Sequence, residues 1–328
     1  MRTPFVLPTL LAAAMLLALG CSASPAQGDP ALPTGFAEAK VPKADLNAYV
    51  YVSQGAPVSV PTSWVGDAIR SLAGNPALAA LGTSVGVKSV ALALGPTVDH
   101  LGGQAVLTSA QEAEAAAQLA AGRPLTEAWA SGDTVGLVYG NGDWPGTVKA
   151  SIQATDGLAF SEAYTDAWDL LRMMPKSAPG QPVAAGFAKT DGSVLEQASA
   201  RLRLNLQGVP QALGSLNITQ GVFVAYAQQT LDAPQHVDVT YLKQHKIGAI
   251  AAAKSSYPGW LLGFFLDSFA GQAGLEKGTQ VEGQDVMTKD LGDAYLMAKP
   301  IGSVLFITVA TDKDGAQALM SAVIKQQG

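Results

Sequence analysis

The strongest constraint on how this chain folds is an internal echo. Pro76 and Pro210 stand 134 positions apart, and so do Val90-Ala91-Leu92-Ala93 and Val224-Ala225-Tyr226-Ala227. Ala, Val and Gly are so common in this sequence that four-residue matches arise cheaply. The weight therefore rests on the order of elements around them. In the first half Ala48-Tyr49-Val50-Tyr51-Val52 alternates as a strand, helical stretches follow at 64–73 and 76–81, and 87–94 reads as a strand. In the second half the same order is strand 183–188, helix 194–202, short helix 210–216 and strand 222–227.

The ends of the halves also correspond. Gly132-Asp133 is expected to open a strand at 135–139, with a turn at Asn141-Gly142-Asp143, a return strand at 148–152, and Asp156 closing it as the N-cap of a helix. Gly292-Asp293 is expected to open 294–298, with a turn around Pro300-Ile301-Gly302, a return strand at 304–309, and Asp312 as the cap. Between these lie strand 104–108 with a capping-box pattern at Ser109 and Glu112 on helix 110–121, and strand 247–253 with Pro258 leading helix 259–273. One half thus reads β-α-α-β-β-α-β-β-β-α. Strand runs joined by short turns predict an α+β fold of two tandem similar domains, 45–178 and 179–328, mainly antiparallel sheets with helices packed on one face.

The start of the chain carries an address. Arg2, an apolar run from Phe5 to Leu19, and Gly20 before Cys21 have the layout of a secretory signal over residues 1–20. The stretch Leu17-Ala18-Leu19-Gly20-Cys21 resembles the lipobox of bacterial lipoproteins, with Ala18 where that family usually has Leu. The resemblance implies cleavage after Gly20, a lipid such as palmitate on the Cys21 thiol, and a body held outside the cytoplasm at the cell membrane or outer membrane. Ser22, rather than Asp, after the anchor implies the outer membrane in cells that have two. The leader's apolar run is about 15 residues, short of the roughly 20 that a span requires. Residues 21–44, with prolines at 25, 30, 33 and 42, are expected to be a flexible tether.

Cys21 is the only cysteine, so the body has no internal disulfide and must be held by its core. Loss of Arg2 with the leader leaves 19 basic against 26 acidic residues, a formal charge of −7. That balance argues against nucleic acid and against an anionic bilayer surface as partners.

Motifs for catalysis are weak. Gly82-Thr83-Ser84-Val85-Gly86 has the spacing of a hydrolase nucleophile elbow. The elbow needs a strand before the serine and a helix after it, and here the order is reversed. The glycines then read as a helix C-cap and loop. His236 and His245 flank Tyr241 on an expected strand or hairpin, nine positions apart, which is not a helical zinc spacing. They and His100 read as solvated turn histidines. Glu112 and Glu114 read as the solvated face of a helix, and Asp285, Asp290 and Asp293 as loop or turn residues. No phosphate-cradling or dinucleotide loop is present. The sequence therefore predicts a non-enzyme without metal or cofactor, acting by binding or scaffolding.

The candidate site is Trp260-Leu261-Leu262-Gly263-Phe264-Phe265-Leu266 with Phe269 beyond. On a helix these residues cover nearly the whole circumference, so the first expectation is a core helix buried on every side. The alternatives are a pocket wall for an apolar ligand, or a surface docking a protein partner, with Trp260, Phe264, Phe265 and Phe269 as contacts.

Overall fold

The computed structural model describes residues 30–36, 39, 41–42, 45–52, 87–95, 100–107, 109–120, 126–153, 159–189, 218–229 and 239–327. Cys21, Ser84, His236, Asp156 and the expected helices at 64–73, 76–81, 194–202 and 210–216 lie outside the described residues. Among the described residues are twelve strands and seven helices, and within each unit the strands pair antiparallel. The chain is an α+β protein dominated by antiparallel sheet. It divides into two compact units, one holding 33–164 and the other 165–229 with 238–328.

The first unit contains β1 (Ala48–Val52), β2 (Val87–Leu94), β3 (Leu101–Leu107), α1 (Ala110–Ala120), β4 (Thr126–Ser131), β5 (Thr134–Tyr139), α2 (Trp144–Gln153) and α3 (Phe160–Ala163). Its strands lie in the order β4-β5-β3-β2-β1. Ser109 Oγ accepts from the Glu112 amide at 3.2 Å and starts α1, whose buried residues among those described are Ala113 and Ala117.

Two expectations change here. The return strand expected at 148–152 is the helix α2. Its inward residue, Val148, is fully buried with Val138 and packs beside Trp129 and Trp144. Pro145 sits in the first turn, where a missing amide costs nothing, and the Asp143 carbonyl accepts from the Thr147 amide at 3.0 Å. Asn141-Gly142-Asp143 thus leads into a helix. The hairpin turn is instead Gly132-Asp133, between β4 and β5.

The second departure concerns the tether. Phe36 and Val41 have no exposed surface, and Pro30, Pro33 and Pro42 are buried. Phe36 packs against Phe160 at 4.9 Å between ring centroids, Tyr51 at 5.8 Å and Tyr49 at 6.4 Å. A turn holds the segment, with the Phe36 amide donating to Pro33 O at 3.0 Å. Proline content marks stiffness as well as disorder. Here one aromatic anchor among prolines is enough to bind the segment to the sheet.

The second unit contains α4 (Thr165–Leu171), β6 (Gln181–Lys189), β7 (Ile218–Ala227), α5 (Val239–Gln244), β8 (Ile247–Ser255), α6 (Gly259–Ala273), β9 (Glu276–Val281), β10 (Gln284–Asp290), β11 (Tyr295–Ile301), β12 (Val304–Ala310) and α7 (Lys313–Gln327). The strand order is β6-β7-β8-β12-β11-β10-β9. Helix α4 buries Ala167, Leu170 and Leu171 and packs on β7 and β8. The division therefore falls after Tyr164, ahead of the boundary expected at 178.

All seven residues of β12 are buried. Successive side chains point to opposite faces, so both faces of the sheet are covered at this strand. Helix α7 takes the face of Thr308, whose hydroxyl donates to Ala316 O at 2.9 Å. Its buried stripe is Ala316, Leu319, Met320, Val323 and Ile324, the i, i+3, i+4, i+7, i+8 pattern of a core-facing helix. Asp312 caps it, accepting from the Gly315 amide at 2.7 Å. Leu305, Ile307 and Val309 occupy the other face and are equally buried.

The hairpin β9–β10 and the strand β4 lie where the sequence predicts no strand. Residues 276–280 are mostly exposed, and such a polar run reads as loop; Glu276 and Lys277 place charge on the edge strand. Asp285 accordingly stands within β10 and Asp290 ends it, rather than both lying in loops.

Candidate functional site

Helix α6 begins where β8 ends. Pro258 is its N-cap in extended conformation, and its carbonyl accepts from the Leu261 amide at 2.9 Å and the Leu262 amide at 3.1 Å. Gly259 lies directly on the β11–β12 turn. A Cβ there would sit 2.0 Å from Gly302 O, inside backbone, so only glycine allows the helix to start at this point. Gly274 ends α6 with a left-handed φ of 65°.

The helix has two apolar sides and only one of them is packed. Leu262, Leu266 and Ala270, at i, i+4, i+8, are at most 2% exposed. Trp260 and Phe264, four residues apart on the other side, are 76% and 66% exposed. Phe265, between the two sides, is half-buried, its ring 5.3 Å from Tyr257 and 6.0 Å from Phe264. The Phe269 side chain lies outside the described residues. The expectation of a helix buried on every side is thus corrected. The sequence gives apolar residues all round, but a helix lying on a sheet turns only one stripe inward.

A contrast comes from α1 in the first unit. There the outward positions carry Glu114 and Gln118, joined by a 3.2 Å hydrogen bond from Gln118 Nε2 to Glu114 Oε1. That is how a surface helix is ordinarily solvated, and α6 departs from it.

The remaining candidates do not assemble into a site. His100 Nε2 lies 3.0 Å from Asn141 Oδ1, and its ring is edge-on to Trp144 at 5.3 Å. His245 follows the helix α5, not a strand, and is buried rather than solvated. Asp293 pairs with Lys243 at 3.0 Å. Among the described residues no group of His, Cys, Asp and Glu is arranged to hold a metal ion.

Titration marks the cores rather than a reaction centre. Burial pushes the phenols of Tyr49 and Tyr226 well above the usual tyrosine range. Neither hydroxyl has a hydrogen-bond partner among the described residues. The unfolded chain ionises these groups near pH 10, whereas the folded protein keeps them protonated. Their contribution is therefore intact below about pH 10 and is lost as pH rises beyond it. Urea midpoints should hold between pH 8 and 9 and fall steeply by pH 11, with a shallower fall in the Tyr49→Phe, Tyr226→Phe double variant. On the surface, Glu282 accepts from Ser321 at 2.6 Å and pairs with Lys325 at 2.9 Å, which lowers its carboxyl below the usual range. Lys299 is lowered by burial, against an opposing pull from Asp285.

No family model matches the chain, and no curated protein matches it. Two solved structures of TP0453 are similar. Crystal form I covers 87% of this chain and 95% of its own at 9% identity and a TM-score of 0.36. Crystal form III covers 87% and 99% at 8% identity and the same TM-score. A likeness this shallow says nothing about function.

No helix among the described residues is long and apolar enough to cross a membrane.

Proposed function

We propose that this chain is a membrane-anchored lipoprotein of the bacterial cell envelope, without catalytic activity, that acts by docking through the outward face of α6. The observation that carries the docking role is the exposed pair Trp260 and Phe264 on a helix whose other side is fully packed. Large exposed aromatics desolvate at little cost and offer broad apolar area to a partner. The anchor rests on the resemblance of Leu17-Ala18-Leu19-Gly20-Cys21 to the lipobox.

The body is a tandem duplication in this reading. Both units have three sequential antiparallel strands, then a helix, then a hairpin whose last strand lies against the third strand, then a closing helix. The hairpin turns carry glycines with matching backbone, Gly132 at φ 58° and Gly302 at φ 59°. The spacing of 134 near the start becomes 170 at these turns because the second unit adds the helix α5 between β7 and β8 and the hairpin β9–β10 after α6.

The anchor is tested by expressing the full chain and its Cys21→Ser variant in a bacterial host fed labelled palmitate. The wild-type protein is expected in the membrane fraction with label. The variant is expected to lose the label and the membrane-bound pool. A wild-type protein that takes up no label removes the anchor.

A further inference from the structure

We propose that α6 is a second membrane contact: its exposed Trp260–Phe264 face enters the interfacial layer of the bilayer that carries the acylated Cys21. The proposal rests on the anchor reading for its geometry. Three observations point to lipid rather than to another occupant.

The first is where the chain emerges. The Ala31 amide donates to Pro175 O at 3.4 Å, and two residues earlier Met173 O accepts from Gln327 Nε2 at 2.7 Å, at the C-terminal end of α7. Lys325 and Ser321 of the same helix end bind Glu282 in the β9–β10 turn. Strand β10 starts after that turn and pairs antiparallel with β11, so this turn and the β11–β12 turn share one end of the sheet. Gly259, with Trp260 next to it, sits on the β11–β12 turn. The entry of the N-terminal chain and the aromatic end of α6 thus gather at one end of the second unit.

The second is length. Residues 22–29 alone separate Cys21 from Pro30, the first described residue, which is buried. Nine steps of chain reach at most about 30 Å. An acylated Cys21 therefore holds this end of the unit close to the bilayer. In the anchored protein the contact is intramolecular, at a high effective concentration.

The third is chemistry. Helix α6 contains one ionisable residue, Asp267, and no Lys or Arg. Tryptophan and phenylalanine at one helix end suit the interfacial layer. With a net negative charge on the protein, the contact is apolar and gains nothing from anionic lipid.

The test uses the mature chain carrying Cys21→Ser, so that no acyl group is present and the result does not depend on the anchor. Phosphatidylcholine vesicles, with and without brominated phosphatidylcholine, are titrated in. Trp260 emission is isolated by subtraction against Trp260→Phe. The expected result is a blue shift with bromine quenching, and vesicle partitioning weakened about tenfold or more in the Trp260→Gln, Phe264→Gln variant. That variant should keep the wild-type circular dichroism and thermal midpoint, since both side chains are exposed. Replacing part of the lipid by phosphatidylglycerol should not strengthen binding. Trp260 emission unchanged at saturating lipid overturns the proposal. So does a concentration-dependent dimer that shifts Trp260 and is abolished by the same variant, which would assign this face to a second copy. Failure of the anchor would show separately, as wild-type protein that takes up no palmitate.

Discussion

Phe36→Ala is expected to destabilise the first unit by about 3–5 kcal/mol, the usual cost of removing a fully buried phenylalanine. Phe36 has no exposed surface and meets three aromatic rings, Phe160, Tyr49 and Tyr51. Its removal opens a cavity lined by rigid rings that cannot collapse into it. The thermal midpoint of this unit should fall by about 10 °C or more. A proline-rich tether would respond differently, because a side chain in solvent changes stability by no more than about 0.5 kcal/mol. Urea denaturation of the two proteins decides between these descriptions. A variant indistinguishable from wild type would return residues 30–42 to the tether and weaken the length argument for α6.

Phe306→Ala and Trp260→Ala form the second test, and their difference is the measurement. Phe306 lies at the centre of β12, fully buried and paired with Lys299 of β11 and Ala252 of β8. Its loss is expected to cost about 3–5 kcal/mol. Trp260 is the larger side chain, yet with 76% of its surface exposed its loss should change stability by about 0.5 kcal/mol or less. If Trp260→Ala proved as damaging as Phe306→Ala, α6 would be a core helix. The docking role would then lose its surface. Chemical denaturation with matched fluorescence and circular dichroism separates the outcomes.

Much of the second unit was legible because its strands and helices carry strong local signals. Asp312 before an i, i+3, i+4 stripe announces α7, and Pro258 announces the start of α6. The apolar run 304–309 has no reading other than a buried strand. The first unit was less legible at 144–153. There Val148 and Ile152 carry strand propensity, and the packing of Val148 on Val138 overrides it. The polar strands β4 and β9 gave no periodic signal, because an edge strand need not bury a face.

The sequence by itself determined the α+β class, the echo between halves, the single cysteine at position 21, and the apolar character of residues 260–266. These follow from residue type and spacing alone. The tertiary structure decided which side of α6 is packed and which faces solvent. It also decided that Phe36 belongs to a core and that the N-terminal chain enters at the same end of the second unit as Trp260. The physical reason is that burial belongs to a pair of surfaces. A helix apolar on every side declares what it could bury, and only the sheet beneath it selects the stripe that is buried.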